Sequence, residues 1–217
     1  MLSIQIFEFN SLAENTYVLF DSAGEGVVID PGCSTPEECA VLSNFITKKK
    51  IKINYLLNTH CHVDHVLGNY FVKNTYRVPF LIHANEDGVL RAVKIYAGNY
   101  GFFGYTEVLP DSFLAEGDTV QFGTTVLSTL FLPGHSPGHV GFYHAESKSL
   151  FAGDVLFERS IGRTDLPGGH FETLINSIQQ KIFLLPNDVT VYPGHGGPTT
   201  VGQEKIHNPY CAVPHHA

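Results

Sequence analysis

The sequence predicts a mixed α/β (α+β) domain in which two mixed or antiparallel β-sheets are covered by helices, and three observations carry that expectation. Short β-prone runs and helical patterns are mixed along the whole chain. Many of the runs follow one another with no helix between them, which disfavours a doubly wound parallel sheet. No low-complexity tract and no fixed-period repeat interrupts the pattern, so residues 1–217 are expected to form a single domain.

LSIQIFEF, NTYVLFD and GVVID are the first three expected strands, separated by turn residues, and Asp30-Pro31-Gly32 closes the third. A helix is expected from Thr35. Thr35 and Glu38 have capping-box spacing, Pro36 suits the first helical position, and Val41, Leu42, Phe45 and Ile46 form its apolar face. INYLLN reads as a strand, and HVLGNYFVKNTY beyond it has helical character. PFLIH is a further strand and NEDGVLRAVKIY a further helix, followed by strands TTVLSTLFL, VGFYH, SLFAG and VTVYP. Phe171, Leu174, Ile175, Ile178 and Ile182 recur at i, i+3, i+4, i+7 and i+11 and predict one more amphipathic helix.

Composition excludes several classes. With 43% hydrophobic and 16% charged residues the chain can bury a sizeable core and is not of disordered type. No apolar run reaches the roughly 18 to 20 residues that span a bilayer. MLSIQIFEFNSLAEN has no basic region leading into an apolar stretch, so the default expectation is a cytoplasmic protein. A net charge of −8, with Lys48 to Lys52 the one notable basic cluster, argues against a nucleic-acid partner. Cys33, Cys39, Cys61 and Cys211 lack CxxC spacing and read as free thiols in a reducing compartment.

Residues 58 to 68, NTHCHVDHVLG, hold three histidines and an aspartate within six positions. They fall where a strand turns into a helix. In an extended segment residues two apart share a side, so His60, His62 and Asp64 are able to converge while His65 opens the next element. Imidazoles converging with a carboxylate suit a zinc or iron ion. A polar turn is the plain alternative, and three later segments weigh against it. LFLPGHSPGH (His135, His139), LFAGD (Asp154) and VTVYPGHGG (His195) each stop a β-run at a Gly-containing turn with a metal-capable side chain. Sheet edges are where a site is assembled from distant parts of a chain.

THCHVDH at 59 to 65, followed in order by PGHSPGH, AGD and PGHG, resembles the metallo-β-lactamase superfamily over nearly the whole chain, VVIDPG at 27 to 32 included. The resemblance implies an αββα sandwich of two mixed β-sheets flanked by helices, with the site at one edge of the packed sheets. It implies one ion on His60, His62 and His135, a second on Asp64, His65 and His195, and Asp154 bridging both. Zinc is the expected metal, with iron or manganese as alternatives. Cys61 falls between two ligands and its strand phase turns it away. Asp30 is a candidate to orient a ligand histidine or simply an acid closing a turn, and His139 is expected to pack in its turn. His83, His144, His170 and His207 receive no role, and His215-His216 reads as a frayed tail.

Two adjacent divalent ions lower the pKa of a shared water from about 15.7 to roughly 7 and so supply hydroxide at neutral pH. Hydrolysis follows, with Asp64 and Asp154 as catalytic proton acceptors. An amide must expel a poorly leaving amine, whereas a thioester expels a thiol of pKa about 8.5. A small-molecule thioester is therefore the preferred substrate class. Within the superfamily the chain resembles the short bacterial form of the glyoxalase II branch, the hydroxyacylglutathione hydrolases, in GDVLFERSIGRTDLPGG and GPTTVGQEKIHNPY. That resemblance makes S-D-lactoylglutathione the leading substrate.

Two departures stand beside it. A single domain without the C-terminal helical domain of full-length glyoxalase II is expected. The chain also has Arg163 and Asp165 where the longer enzymes carry a lysine and a tyrosine for glutathione. Arg163 is the candidate substrate contact, with an internal Arg163 to Asp165 pair as the alternative. The GRTD loop is also similar to that of the persulfide dioxygenases, which hold one iron at positions matching His60, His135 and Asp154. A non-catalytic metal protein is disfavoured because structural sites are closed and cysteine-rich. The aromatic segment 97–113 reads equally as a substrate wall or as packing, and oligomeric state is left open.

Overall fold

The computed structural model describes residues 1–213, so His215 and His216 lie outside the described residues. Strands β1 (Ser3–Phe9), β2 (Glu14–Phe20) and β3 (Glu25–Ile29) form an antiparallel meander. Helix α1 (Pro36–Lys49) then carries the chain back, so that β4 (Lys52–Leu57) runs parallel to β3. Two short helices, α2 (Val63–Val66) and α3 (Asn69–Tyr76), lead to β5 (Phe80–His83), and α4 (Asp87–Tyr96) leads to β6 (Ser112–Leu114). Both strands add in parallel to complete a six-stranded sheet in order β1-β2-β3-β4-β5-β6.

A second meander follows, made of β7 (Thr119–Phe122), β8 (Thr125–Phe131), β9 (Val140–His144) and β10 (Ser149–Gly153). Hairpin β11 (Leu156–Phe157) and β12 (Ser160–Ile161) and helix α5 (Phe171–Gln180) lead to β13 (Thr190–Pro193), which lies parallel to β10. Strand β14 (Thr199–Thr200) and helix α6 (Val201–His207) complete the described elements, and the second sheet runs β14-β13-β10-β9-β8-β7. Both sheets are mixed.

Period-two alternation sorts the side chains into three apolar layers. Val18, Val28 and Leu56 face the helices that cover the first sheet and join Leu42, Ile46, Val66, Val72 and Leu90. Their neighbours Leu19, Val27, Ile29 and Leu57 face the second sheet and pack with Phe122, Phe142 and Phe151. Leu150 and Ala152 point the other way, onto Leu174, Ile178 and Val201 of α5 and α6. The result is the expected αββα sandwich. Among the described residues no helix is long and apolar enough to cross a membrane.

Several elements differ from the sequence expectation. The capping box at Thr35 and Glu38 forms, and α1 ends at Lys50 in a left-handed cap at φ 55°. Val41, however, is half exposed, because Leu42 and Ile46 are the pair that faces the sheet. The helical stretch from His65 to Tyr76 is split in two around Gly68. Phe171 is half exposed at the start of α5, and Ile182 lies in a following 3-10 turn rather than in the helix. Strands β6 and β7, the β11/β12 hairpin, β14 and α6 were not expected; they are short, and their runs are too brief to show a period.

Candidate metal centre

Parallel pairing places the ends of β3, β4, β10 and β13 at one edge of the sandwich. Asp30, His60, His62, Asp154 and His195 follow those ends, and the β8–β9 turn brings His135 and His139 alongside. Two clusters result: His60, His62 and His135, and Asp64, His65 and His195. Within each, the candidate donor atoms lie within 4.8 Å of one another. Asp154 lies between the two, with Oδ2 3.6 Å from both His135 Nε2 and His195 Nε2 and Oδ1 3.5 Å from His65 Nε2. Asp64 therefore joins His65 across the first turn of α2 rather than converging with His60 and His62.

Hydrogen bonds on the outer nitrogens fix which way the rings point. Thr59 Oγ1 donates to Asp30 Oδ2 at 2.6 Å, so its contact with His60 Nδ1 at 3.1 Å is one in which the imidazole N–H donates. His135 Nδ1 donates to the Arg163 carbonyl at 2.8 Å, His65 Nδ1 to Asp30 Oδ2 at 3.2 Å, and His195 Nδ1 to the carbonyls of Leu12 and Ala13 at 3.1 Å. Each of the four thus presents the Nε2 lone pair to the interior. His60 Nε2 and His135 Nε2 face each other at 3.2 Å, and His62 Nδ1 meets the same point, 2.9 Å from His135 Nε2.

Such an arrangement calls for a cation. The His60 and His135 lone pairs at 3.2 Å repel. His65 Nε2 and Asp154 Oδ1 are buried without a hydrogen-bond partner. A divalent ion in each cluster would satisfy these atoms with donors of the type that zinc and iron take. The backbone also approaches closely here: a Cβ at Gly194 would collide with Asp154 Oδ1. The grouping of Asp30 with His60 and His65 is different in kind. Asp30 already accepts from Asn58 Nδ2, Thr59 N, Thr59 Oγ1 and His65 Nδ1, which makes it a support for the rings.

Burial, reinforced by neighbouring imidazoles, holds His60 well below the ordinary histidine range and His62 down to about 3. Both rings are therefore neutral and able to donate a lone pair at physiological pH. Burial also opposes charge on His65, but the carboxylates of Asp64 and Asp154 outweigh it and raise its basicity. Burial likewise works to raise Asp154, and His65 overrides it, so this carboxylate stays ionised.

The other expected residues take supporting places. Cys61 is fully buried in the apolar layer under α1 to α4, turned away from the clusters as its phase predicts. His139 stacks on His60 at 4.8 Å and accepts from the Asp154 N–H at 3.1 Å. The Arg163 guanidinium makes two 2.7 Å bonds to Asp165, and only the backbone carbonyl of Arg163 touches the centre. In the aromatic segment Phe102 and Tyr105 pack onto the core, while Phe103 is 87% exposed. A groove of about 310 Å³ runs from Phe102 and Phe103 to Asn10 and Ser34. Glu14, Thr59 and Glu86, all buried beside the clusters, were missed by sequence reasoning. Glu86 alone carried a signal, an acid just beyond a strand end.

A paired histidine and carboxylate centre at the edge of an αββα sandwich defines a class of metal-binding folds. The chain belongs to the metallo-β-lactamase superfamily, whose family model matches residues 11–195. It is 36% identical over 211 residues to hydroxyacylglutathione hydrolase GloC of Haemophilus influenzae, covering 96% of this chain and 98% of that one. It is 34% identical over 210 residues to the mitochondrial persulfide dioxygenase ETHE1 of Bos taurus, covering 94% and 74%. Among solved structures, BLEG-1 B3 metallo-β-lactamase superposes with a TM-score of 0.87 at 34% identity over 97% of this chain and 100% of that one. TTHA1623 in a di-iron-bound form superposes at 0.85, with 34% identity over 95% and 99%.

Proposed function

We propose that the protein is a dinuclear zinc hydrolase that cleaves a small thioester, with S-D-lactoylglutathione as the leading substrate. The observation that carries the reading is Asp154 lying between two clusters into which His60, His65, His135 and His195 turn Nε2. His60, His62 and His135 would hold one ion and Asp64, His65 and His195 the other, with Asp154 placed to serve either cluster. When bound, the ions supply a water of lowered pKa and a Lewis acid for the thioester carbonyl. Asp64 or Asp154 would serve as the proton acceptor.

The leaving group decides between substrates. Asp30 and Glu86 are committed to hydrogen bonds with the protein, and Glu14 lies on the outer nitrogen of His65. None of these three buried acids is thereby offered to an amine. A thiol of pKa about 8.5 leaves as thiolate without one. Arg163 is assigned to a substrate carboxylate, which requires it to exchange Asp165 for that group. Four free cysteines suit a reducing compartment, which supports a cytoplasmic location.

The second reading is a mononuclear-iron persulfide dioxygenase, favoured by the similarity to the bovine enzyme and by the donors His60, His135 and Asp154. Purified protein assayed for thiol release from S-D-lactoylglutathione, and for oxygen uptake with glutathione persulfide, separates the two. Thiol release without oxygen uptake is expected. One iron per chain with oxygen uptake and no thiol release would sink the hydrolase reading.

A further inference from the structure

Glu86 is a fully buried carboxylate outside both clusters, in the 3-10 turn that follows β5. Its Oε2 accepts the Cys61 N–H at 2.8 Å. Its Oε1 accepts the Gly138 N–H at 2.7 Å and the Ser136 hydroxyl at 2.5 Å. Cys61 is the residue between His60 and His62; Ser136 directly follows His135, and Gly138 directly precedes His139. One side chain therefore grips two loops that are distant in sequence and carry opposite halves of the first cluster. The approach is close, since a Cβ at Gly138 would stand 2.7 Å from Glu86 N and 2.8 Å from its Cγ. Asn85, from the same turn, adds a 3.4 Å bond to the Pro137 carbonyl.

We propose that Glu86 is a positioning residue that clamps the His60–His62 loop to the His135 loop and so sets the separation of the first cluster's donors. A carboxylate suits the task because both oxygens are acceptors and all three partners are donors. Glutamine of the same shape presents an N–H₂ to one of the two loops, where a donor already points, and opens that arm of the clamp. Outer partners of metal ligands act in this way, and their loss weakens metal binding by roughly 10- to 100-fold. The inference rests on metal occupancy of the first cluster and is independent of the thioester substrate.

The test is a Co²⁺ titration of the metal-stripped protein, followed by the visible d–d absorption of the bound ion. Wild type is compared with Glu86→Gln, with Ser136→Ala, and with Asp21→Asn. Asp21 is likewise buried and accepts from Ala23, Glu25 and Thr124, but it ties the two sheets elsewhere. Glu86→Gln is expected to weaken uptake of one cobalt equivalent by about 10- to 100-fold and to shift its band. Ser136→Ala should do so less, while Asp21→Asn lowers Tm and leaves affinity and band unchanged.

Wild-type affinity and spectrum in Glu86→Gln, or an equal change in Asp21→Asn, would overturn the clamp. If Glu86→Gln fails to fold, unchanged cobalt affinity in Ser136→Ala overturns it. Wild-type protein that takes up no cobalt overturns the metal reading and the clamp together, whereas cobalt uptake without thioesterase activity overturns only the proposed substrate.

Discussion

Asp30 Oδ2 lies 3.2 Å from His65 Nδ1 and 2.6 Å from the Thr59 hydroxyl, which in turn lies 3.1 Å from His60 Nδ1. One carboxylate thus steers an imidazole in each cluster, directly for His65 and through Thr59 for His60. Asp30 achieves this from a left-handed backbone conformation at φ 48°, uncommon for a non-glycine residue and tolerated best by asparagine and aspartate. Asp30→Asn keeps the backbone preference but puts an amide N–H₂ where donors converge. Metal affinity is expected to fall by roughly 10- to 100-fold, read by competition with a coloured chelator. Asp30→Ala removes the acceptor that Thr59 N, Thr59 Oγ1, His65 Nδ1 and one Asn58 Nδ2 hydrogen share, and is expected to cost more than about 3 kcal/mol in a denaturant titration.

The metal-free protein is expected to lose stability as pH falls from about 6.5 toward 3. Burial first, then neighbouring imidazoles, holds His60, His62 and His139 below the ordinary range, and burial lowers His135 as well. In that window the unfolded chain takes up protons that the folded rings refuse, so stability drops with acid. Asp64 and Asp154 add a loss of the same sign at lower pH, because His65 outweighs burial and lowers both. His65 and His195 are raised and act oppositely: their contribution is complete below about 6.5 and is lost as pH rises. Thermal melts of stripped protein from pH about 6.5 down to about 4 check this; a flat Tm would contradict it.

Arg163→Ala is expected to leave Tm and metal content near wild type while raising KM severalfold. The pair with Asp165 is exposed on both sides, and solvent screening leaves it little weight in stability. The carbonyl that accepts from His135 survives the substitution. Steady-state kinetics beside a metal assay test it, and an unchanged KM would assign the guanidinium to shaping its loop.

Cys61→Ala should bind metal fully despite lying between two ligands. Its thiol is buried in the apolar layer, and burial pushes its pKa well up, so it is no candidate thiolate. The backbone N–H that reaches Glu86 is retained. A stability loss of about 1 to 2 kcal/mol for the lost volume is expected, and loss of metal would contradict it.

The turns that hold the candidate ligands were legible as β-runs stopping at sharp, Gly-containing turns, a local pattern that one sequence displays, whereas the choice of His135 over His139 and the division of seven residues between two ions came from the resemblance to the superfamily. The split of Asp64 from His60 and His62 was not readable from phase alone, since the segment changes from extended to helical at Val63. Supports such as Asp30 to Thr59 and Glu86 to Ser136 depend on strand register and on loops 29 and 50 residues apart, which periodicity does not encode. Phe171 and Val41 satisfied a helical count yet face solvent, because a face is defined by what covers it.

Reconstitution of stripped protein with zero, one and two equivalents of zinc, assayed for thiol release from S-D-lactoylglutathione, tests the dinuclear thioesterase most directly. Activity that is absent without metal and rises with the second equivalent is the predicted result. No thiol release at two bound equivalents, or full activity at one, would contradict it.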